Sequence, residues 1–262
     1  MGRWDLGTRT LRAASRIGIQ LYTLRSLMEK DVEATLAAVA DIGYREVEFA
    51  GEFGRTPARL RATLSRLDLS CPSRHVPPEF DDGWDATLEA SAALGNRYVT
   101  VAWIPVEMRR SLDDWKRTAE SFARAGEAAR RAGLRFAYHN HDFEFAERAG
   151  RVPFDVLLES TDPSLVAIEL DLYWISKAGH DPLAYLARGA GTDRYKMVHV
   201  KDMDATPARG MVDPGTGVLD FSRLLPAARA AGVEHYFVEH DHPGDPLATA
   251  RTGYRYLQRL LR

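Results

Sequence analysis

The chain has 262 residues, 45% of them hydrophobic and 27% charged, and its 35 basic and 37 acidic side chains leave a formal charge of −2. That balance excludes a disordered or collagen-like chain and supplies no field that would draw a nucleic acid or a membrane surface. The single cysteine, Cys71, allows no internal disulfide and reads as a small strand residue rather than a reactive thiol.

Residues 1–16 carry Arg3, Arg9, Arg12 and Arg16 with no apolar stretch between them, unlike a secretion signal. No window approaches the roughly 18 consecutive apolar residues of a membrane span. The expectation is a cytoplasmic protein with an N-terminal tail over 1–15 and one domain over 16–262.

From residue 17 onward, short β-branched or aromatic runs alternate with helical patterns, the signature of parallel strands joined by crossover helices. Residues 17–22 form the first strand. Residues 32–40 follow as a helix, because Val32, Leu36, Val39 and Ala40 recur on one face; Asp31 caps its start and Gly43 its end. Next come a strand over 46–50, a helix opened by Pro57 and ending near 67, and a strand over 69–76. The rhythm continues with a helix over 84–94 closed by Gly95, a strand over 97–103, a helix over 112–132 closed by Gly133, and a strand over 134–141. The second half repeats it: helix 153–159, strand 165–171, helix 182–186, strand 195–201, helix 221–231 closed by Gly232, strand 235–239 and a last helix over 246–261. Eight such units in unbroken succession predict an α/β fold, a single closed (β/α)8 barrel whose chemistry lies at the C-terminal ends of its strands.

Those ends carry Gln20, Glu48, His75 and Trp103, then Tyr138-His139-Asn140-His141-Asp142-Phe143-Glu144, Glu169-Leu170-Asp171, His199-Val200-Lys201-Asp202 and Glu239-His240-Asp241-His242. Carboxylates and imidazoles converging on one mouth are the oxygen and nitrogen donors a divalent cation takes, with room left for substrate; the lack of a thiol argues against a structural zinc site. Taken singly, His199 reads as a hydrogen-bonded core histidine, Asp171 as a helix N-cap and Glu239 as the ion-pair partner of Lys201. Taken jointly, those readings leave several buried charges to be explained one by one, whereas a shared cation accounts for all of them. The glycine-rich stretch 210–220 has neither dinucleotide nor P-loop spacing and reads as a mobile loop over the mouth. Trp103, Phe143, Tyr173 and Trp174 read as an apolar wall for a sugar ring, or in part as core.

Through Ile17-Gly18-Ile19-Gln20-Leu21-Tyr22-Thr23, Val47-Glu48-Phe49-Ala50-Gly51, the histidine-rich run at 138–145, Glu169-Leu170-Asp171-Leu172-Tyr173-Trp174, His199-Val200-Lys201-Asp202-Met203 and Phe237-Val238-Glu239, the chain resembles the sugar phosphate isomerase/epimerase family of xylose isomerase-like TIM barrels. The resemblance implies a divalent cation, Mn²⁺ first and Mg²⁺, Co²⁺ or Zn²⁺ as alternatives, held by a carboxylate after strand five together with Asp171, His199 and Glu239. Ketose epimerases of the family carry a glutamate inside strand five, where this chain has histidines. Glu144 is assigned to that place as the nearby carboxylate, with His139 as the alternative.

The resemblance further implies removal of a proton next to the carbonyl of a keto sugar. His141 or Glu239 takes that proton, Lys201 stabilises the oxyanion, and Glu48, His75, His139 and Trp103 bind substrate. Isomerase or epimerase is the first reading. Lyases and dehydratases that eliminate from keto sugars, inosose dehydratases among them, share the enediolate-like intermediate and are the alternative. Apurinic-site nucleases of the same superfamily are disfavoured by the neutral charge, and a non-catalytic barrel subunit would bind no metal. The expected partners are a small-molecule sugar and further copies of the chain, with no nucleic acid and no membrane.

Overall fold

The computed structural model describes residues 17–81 and 83–261, so the expected tail over 1–15 lies outside the described residues. Eight parallel strands close into a barrel in chain order: β1 (Ile17–Gln20), β2 (Glu46–Phe49), β3 (Ser70–Val76), β4 (Tyr98–Val101), β5 (Arg135–His139), β6 (Val166–Asp171), β7 (Tyr195–Val200) and β8 (His235–Val238), with β8 pairing back onto β1. The (β/α)8 barrel read from the sequence is the fold observed.

The helices start where side-chain oxygens meet free backbone N–H groups. Asp31 accepts from Ala34 N, Thr56 precedes Pro57 and accepts from Arg59 N, and Ser111 and Asp114 form a reciprocal capping box ahead of helix Leu112–Arg131. At the C-terminal ends, Gly43 and Gly95 take the left-handed conformation expected of them, with φ of 118° and 93°. Several strands end earlier than the sequence suggests: β5 stops at His139 rather than 141, and β4 at Val101 rather than 103. Beyond β5 the side chain of the next residue, Asn140, takes up a backbone group of the neighbouring strand, its Oδ1 accepting from the backbone N–H of Asp171 at 2.9 Å.

Strand pleating separates two cores. Outward-facing residues pack against helices carrying Leu36, Trp115, Phe122 and Leu186, all fully buried. Inward-facing Tyr98, Ala137, Ala167, Met197 and Phe237 form a separate apolar plug inside the barrel. Gly18 leaves room for the Phe237 ring, which a Cβ at that position would strike. Along the same inward faces, one or two steps further on, come His139, Glu169, Asp171 and His199. No helix among the described residues is long and apolar enough to cross a membrane.

Helix Leu112–Arg131 lies so close to the chain entering β6 that a Cβ on Gly126 would press on the backbone carbonyl of Leu165. The substitution Gly126→Ala is expected to destabilise the fold by about 1–3 kcal/mol, the usual cost of overpacking, read as a lowered denaturant midpoint.

Candidate metal centre

Register brings the polar residues to common levels. Gln20 stands beside Glu48, His139 beside Glu169, and Asp171 beside His199. Lys201 and Glu239 follow immediately after β7 and β8. Glu48, Glu169, Asp171 and His199 have no exposed surface.

Donor atoms of His139, Asp171, His199 and Glu239 lie within 4.8 Å of one another. Asp171 Oδ1 accepts the N–H groups of Tyr173 and Trp174, both at 2.9 Å, capping the short helix Leu172–Lys177. Its Oδ2 faces His139 Nε2 at 3.2 Å and Lys201 Nζ at 3.0 Å. His199 Nδ1 approaches Glu239 Oε2 to 2.6 Å, yet neither atom makes an aligned hydrogen bond. A ring nitrogen and a carboxylate oxygen so close and unaligned resemble ligands around a cation, so these residues fit a divalent ion. The separate readings of Asp171 as a cap and of Glu239 as a partner of Lys201, at 2.8 Å, also hold.

The electrostatics follow. Burial alone would raise Asp171, but the ammonium of Lys201 and the imidazole of His139 hold it down to about 2. Burial likewise opposes the ionised form of Glu239, and Lys201 and His199 more than offset it, keeping the carboxyl well below its ordinary value. Lys201 is fully charged: desolvation would lower it, but Asp171, Glu239 and Asp241, the last at 2.9 Å, raise it well above the ordinary lysine range.

Glu144, expected as the strand-five ligand, is not brought into this group; His139 is. Glu144 lies in the turn Phe143–Phe145, fully buried, with Oε1 accepting from the Tyr138 hydroxyl at 2.6 Å and Oε2 from His141 N–H at 3.0 Å. Its carboxylate is thus committed to holding the turn that presents His139 and His141. Inward alternation along β5, through Ala137 and His139, is the signal that favours the histidine.

Glu48 is not brought to the cavity either. Its Oε2 accepts from Gln20 Nε2 at 2.7 Å and faces His199 Nε2 at 2.8 Å and His75 Nε2 at 3.2 Å. His75 Nε2 also faces Glu169 Oε2 at 2.9 Å. Burial would lower His75, but Glu48 and Glu169 raise it to about 10. Glu169 and Asp241 carry no role in the sequence reading, although Glu169 sits two residues before Asp171 and so shares its face.

A cavity of about 210 Å³ opens above, lined by His75, Trp103, His139, His141, Lys201, Glu239 and Asp241, with Tyr22, Ala50, Ala102 and His242 at its edges. Trp103 is half exposed there. The His141 ring lies parallel to Phe143 at 5.7 Å and tilts against Trp174 at 5.4 Å. Burial, with the neighbouring His139 and Lys201, pushes His141 well below its ordinary value, so the imidazole is neutral; its Nδ1 makes no hydrogen bond. Tyr173 is core, its hydroxyl bonded to the Arg209 carbonyl. Burial pushes the Cys71 thiol up to about 12, in keeping with an inert strand residue.

The glycine-rich stretch is a strap with defined anchors. Asp202–Met203 and Met211–Val212 pair as an antiparallel ribbon, and the Asp202 carboxylate accepts from the N–H groups of Met203, Gly215, Gly217 and Leu219 at 2.8–3.1 Å. The Tyr173 hydroxyl and Thr249 Oγ1, bonded to Asp213, tie it to flanking helices.

Residues 36–260 match the xylose isomerase-like TIM barrel family, and the chain belongs to it. Among similar proteins, the inosose dehydratase of Geobacillus kaustophilus strain HTA426 is 27% identical over 228 residues, covering 72% of this chain and 73% of that protein. A crystal structure of a sugar phosphate isomerase/epimerase from Parabacteroides distasonis ATCC 8503 is 27% identical, covers 93% of this chain and 97% of that one, and superposes with a TM-score of 0.81. The IOLI protein, solved with a binding zinc atom, shares the fold at 14% identity and a TM-score of 0.74, over 94% and 98% of the two chains.

Burial lifts the Glu144 carboxyl from 4.5 to about 7, the bonds from Tyr138 and His141 offsetting part of the rise. In the unfolded chain the carboxyl ionises first, so this group's contribution to stability is largest below pH 4.5 and is lost as the pH rises through about 7. Glu144→Gln removes that slope: relative to wild type the variant is expected to gain on the order of 3 kcal/mol between pH 4.5 and 8, measured by denaturant titrations across that range.

Proposed function

We propose that the protein is a divalent-metal-dependent enzyme that removes a proton from the carbon beside the carbonyl of a keto sugar, acting as an isomerase or epimerase. The observation that carries this reading is the convergence of His139, Asp171, His199 and Glu239, of which His139 and Glu239 line a cavity of about 210 Å³. Relatives named sugar phosphate isomerase/epimerase and inosose dehydratase support the substrate class. His139 takes the place in the ligand set first given to Glu144.

Two imidazoles and two carboxylates suit Mn²⁺, Co²⁺ or Zn²⁺ better than Mg²⁺. Manganese is the cation proposed, and the zinc of the IOLI neighbour fits the same donor chemistry. When bound, the cation supplies a Lewis acid that polarises the carbonyl oxygen. His141 is the base: it lines the cavity, its imidazole is neutral, and its Nδ1 is not engaged. Glu239 serves as a ligand, and Lys201 and His199, by holding its carboxyl well below its ordinary value, leave it a weaker base than the imidazole. The Lys201 ammonium stabilises negative charge developing on a substrate oxygen, and His75 and Trp103 contact the sugar from the β3 and β4 side. Loss of a β-substituent after the same proton abstraction would make the enzyme a dehydratase or lyase, the chemistry named for the Geobacillus relative.

Protein prepared with Mn²⁺ is expected to carry at least one equivalent by elemental analysis, and Asp171→Ala and His199→Ala to carry at least one equivalent less than wild type. In deuterated water, free ketoses and 3-keto-glucosides are expected to take up deuterium next to the carbonyl, about 10²–10⁴-fold more slowly with metal-loaded His141→Ala. Release of an aglycone would assign elimination. Wild-type protein that retains no metal would overturn the reading.

A further inference from the structure

Below the donor group just assigned lies another, whose Glu48 and Glu169 the proposed chemistry leaves unused. Glu48, His75, Glu169 and His199 also bring donor atoms within 4.8 Å of one another. Around this ring, His75 Nε2 is 2.9 Å from Glu169 Oε2 and 3.2 Å from Glu48 Oε2, while His199 Nε2 is 2.8 Å from Glu48 Oε2 and 3.2 Å from Glu169 Oε1. Ligands about 2.0–2.1 Å from a tetrahedral ion stand about 3.3 Å apart, so these edges suit a cage around one. His199 belongs to both groups through opposite nitrogens, since its Nδ1 is the atom facing Glu239 and Asp171.

Hydrogen bonds alone leave this ring incomplete. Each Nε2–H can serve one oxygen, and Glu48 Oε1 and Glu169 Oε1, on side chains with no exposed surface, make no hydrogen bond. Charge points the same way. Lys201 reaches Asp171, Glu239 and Asp241, whereas the ion-pair partners of the buried Glu48 and Glu169 among the described residues are the imidazoles of His75 and His199 alone. Two buried carboxylates with no lysine or arginine beside them favour a bound cation.

We propose that Glu48, His75 and Glu169 hold a second divalent cation, with the His199 imidazole shared between the two ions, Nδ1 to the upper and Nε2 to the lower. This rests on the cation reading of the upper group. The shared ring is an imidazolate, and its Nε2 proton passes to solvent on binding. The competing account is that Glu48 and Glu169 only orient His199 by accepting its Nε2–H, as carboxylates commonly do behind a metal-bound histidine.

The test strips the full chain with chelator and reloads it with Zn²⁺ or Mn²⁺ under equilibrium dialysis, followed by elemental analysis. Two equivalents are expected in wild type and one in both Glu48→Gln and Glu169→Gln, with thermal unfolding showing that the variants are folded. Anomalous scattering from zinc-loaded wild-type crystals is expected to give two peaks, one on each side of the His199 ring, and this decides the matter if the variants do not fold. One equivalent in wild type, or a single peak, overturns the second site and leaves the upper site standing. Two equivalents that persist in folded Glu48→Gln and Glu169→Gln also overturn it. No metal in wild type overturns both.

Discussion

Too much negative charge is buried where the barrel strands end, and the surrounding structure is arranged to tolerate it. Five carboxylates share that space with one lysine, and four of them have almost no contact with solvent. Lys201 is pinned between three acids, its long side chain almost wholly buried. Asp171 is further stabilised by two backbone N–H groups at the start of a short helix, where the helix dipole also favours an anion. His75 is drawn toward its charged form by two glutamates. Each local device lowers the cost of an anion that the protein would otherwise be better without, which is how a cation-binding site looks when its own side chains are considered alone.

Period-two alternation does the positioning. The same inward faces that carry Ala137, Ala167, Met197 and Phe237 in the apolar plug carry His139, Glu169, His199 and Glu239 two residues later. A rigid, close-packed layer therefore lies directly under the chemistry, and the parallel register sets which donors share a level. Precision comes from the strands; the cavity wall above them, with Trp103 and His141, is built from loops.

Much of this was legible in the sequence, and the failures have identifiable physical causes. Eight alternating units specified the barrel because hydrophobic periodicity and helix caps are local signals. Strand-end position brings Asp171, His199 and Glu239 to one mouth, and the family resemblance groups them as a set. Glu144 was misplaced because a carboxylate preference was set against alternation; the strand ends at His139, and the following turn sends Glu144 back toward the Tyr138 hydroxyl. The role of Glu48 beneath the cavity depends on contacts from β1, β3 and β7, and no single segment reveals these. The strap was read as a loop because its order comes from one buried carboxylate collecting N–H groups up to 17 residues away.

Lys201 and Asp202 are chain neighbours that face different tasks. Lys201 reaches the acids of the site, while Asp202 gathers the backbone of the strap. A single peptide link thus joins the ammonium of the site to the anchor of the longest βα loop among the described residues. Its length is constrained: an insertion between 203 and 219 must still return three N–H groups to the same carboxylate, or strain the residue beside Lys201. Loop exchange aimed at changing substrate preference would find more freedom after β4, where Trp103 stands half exposed.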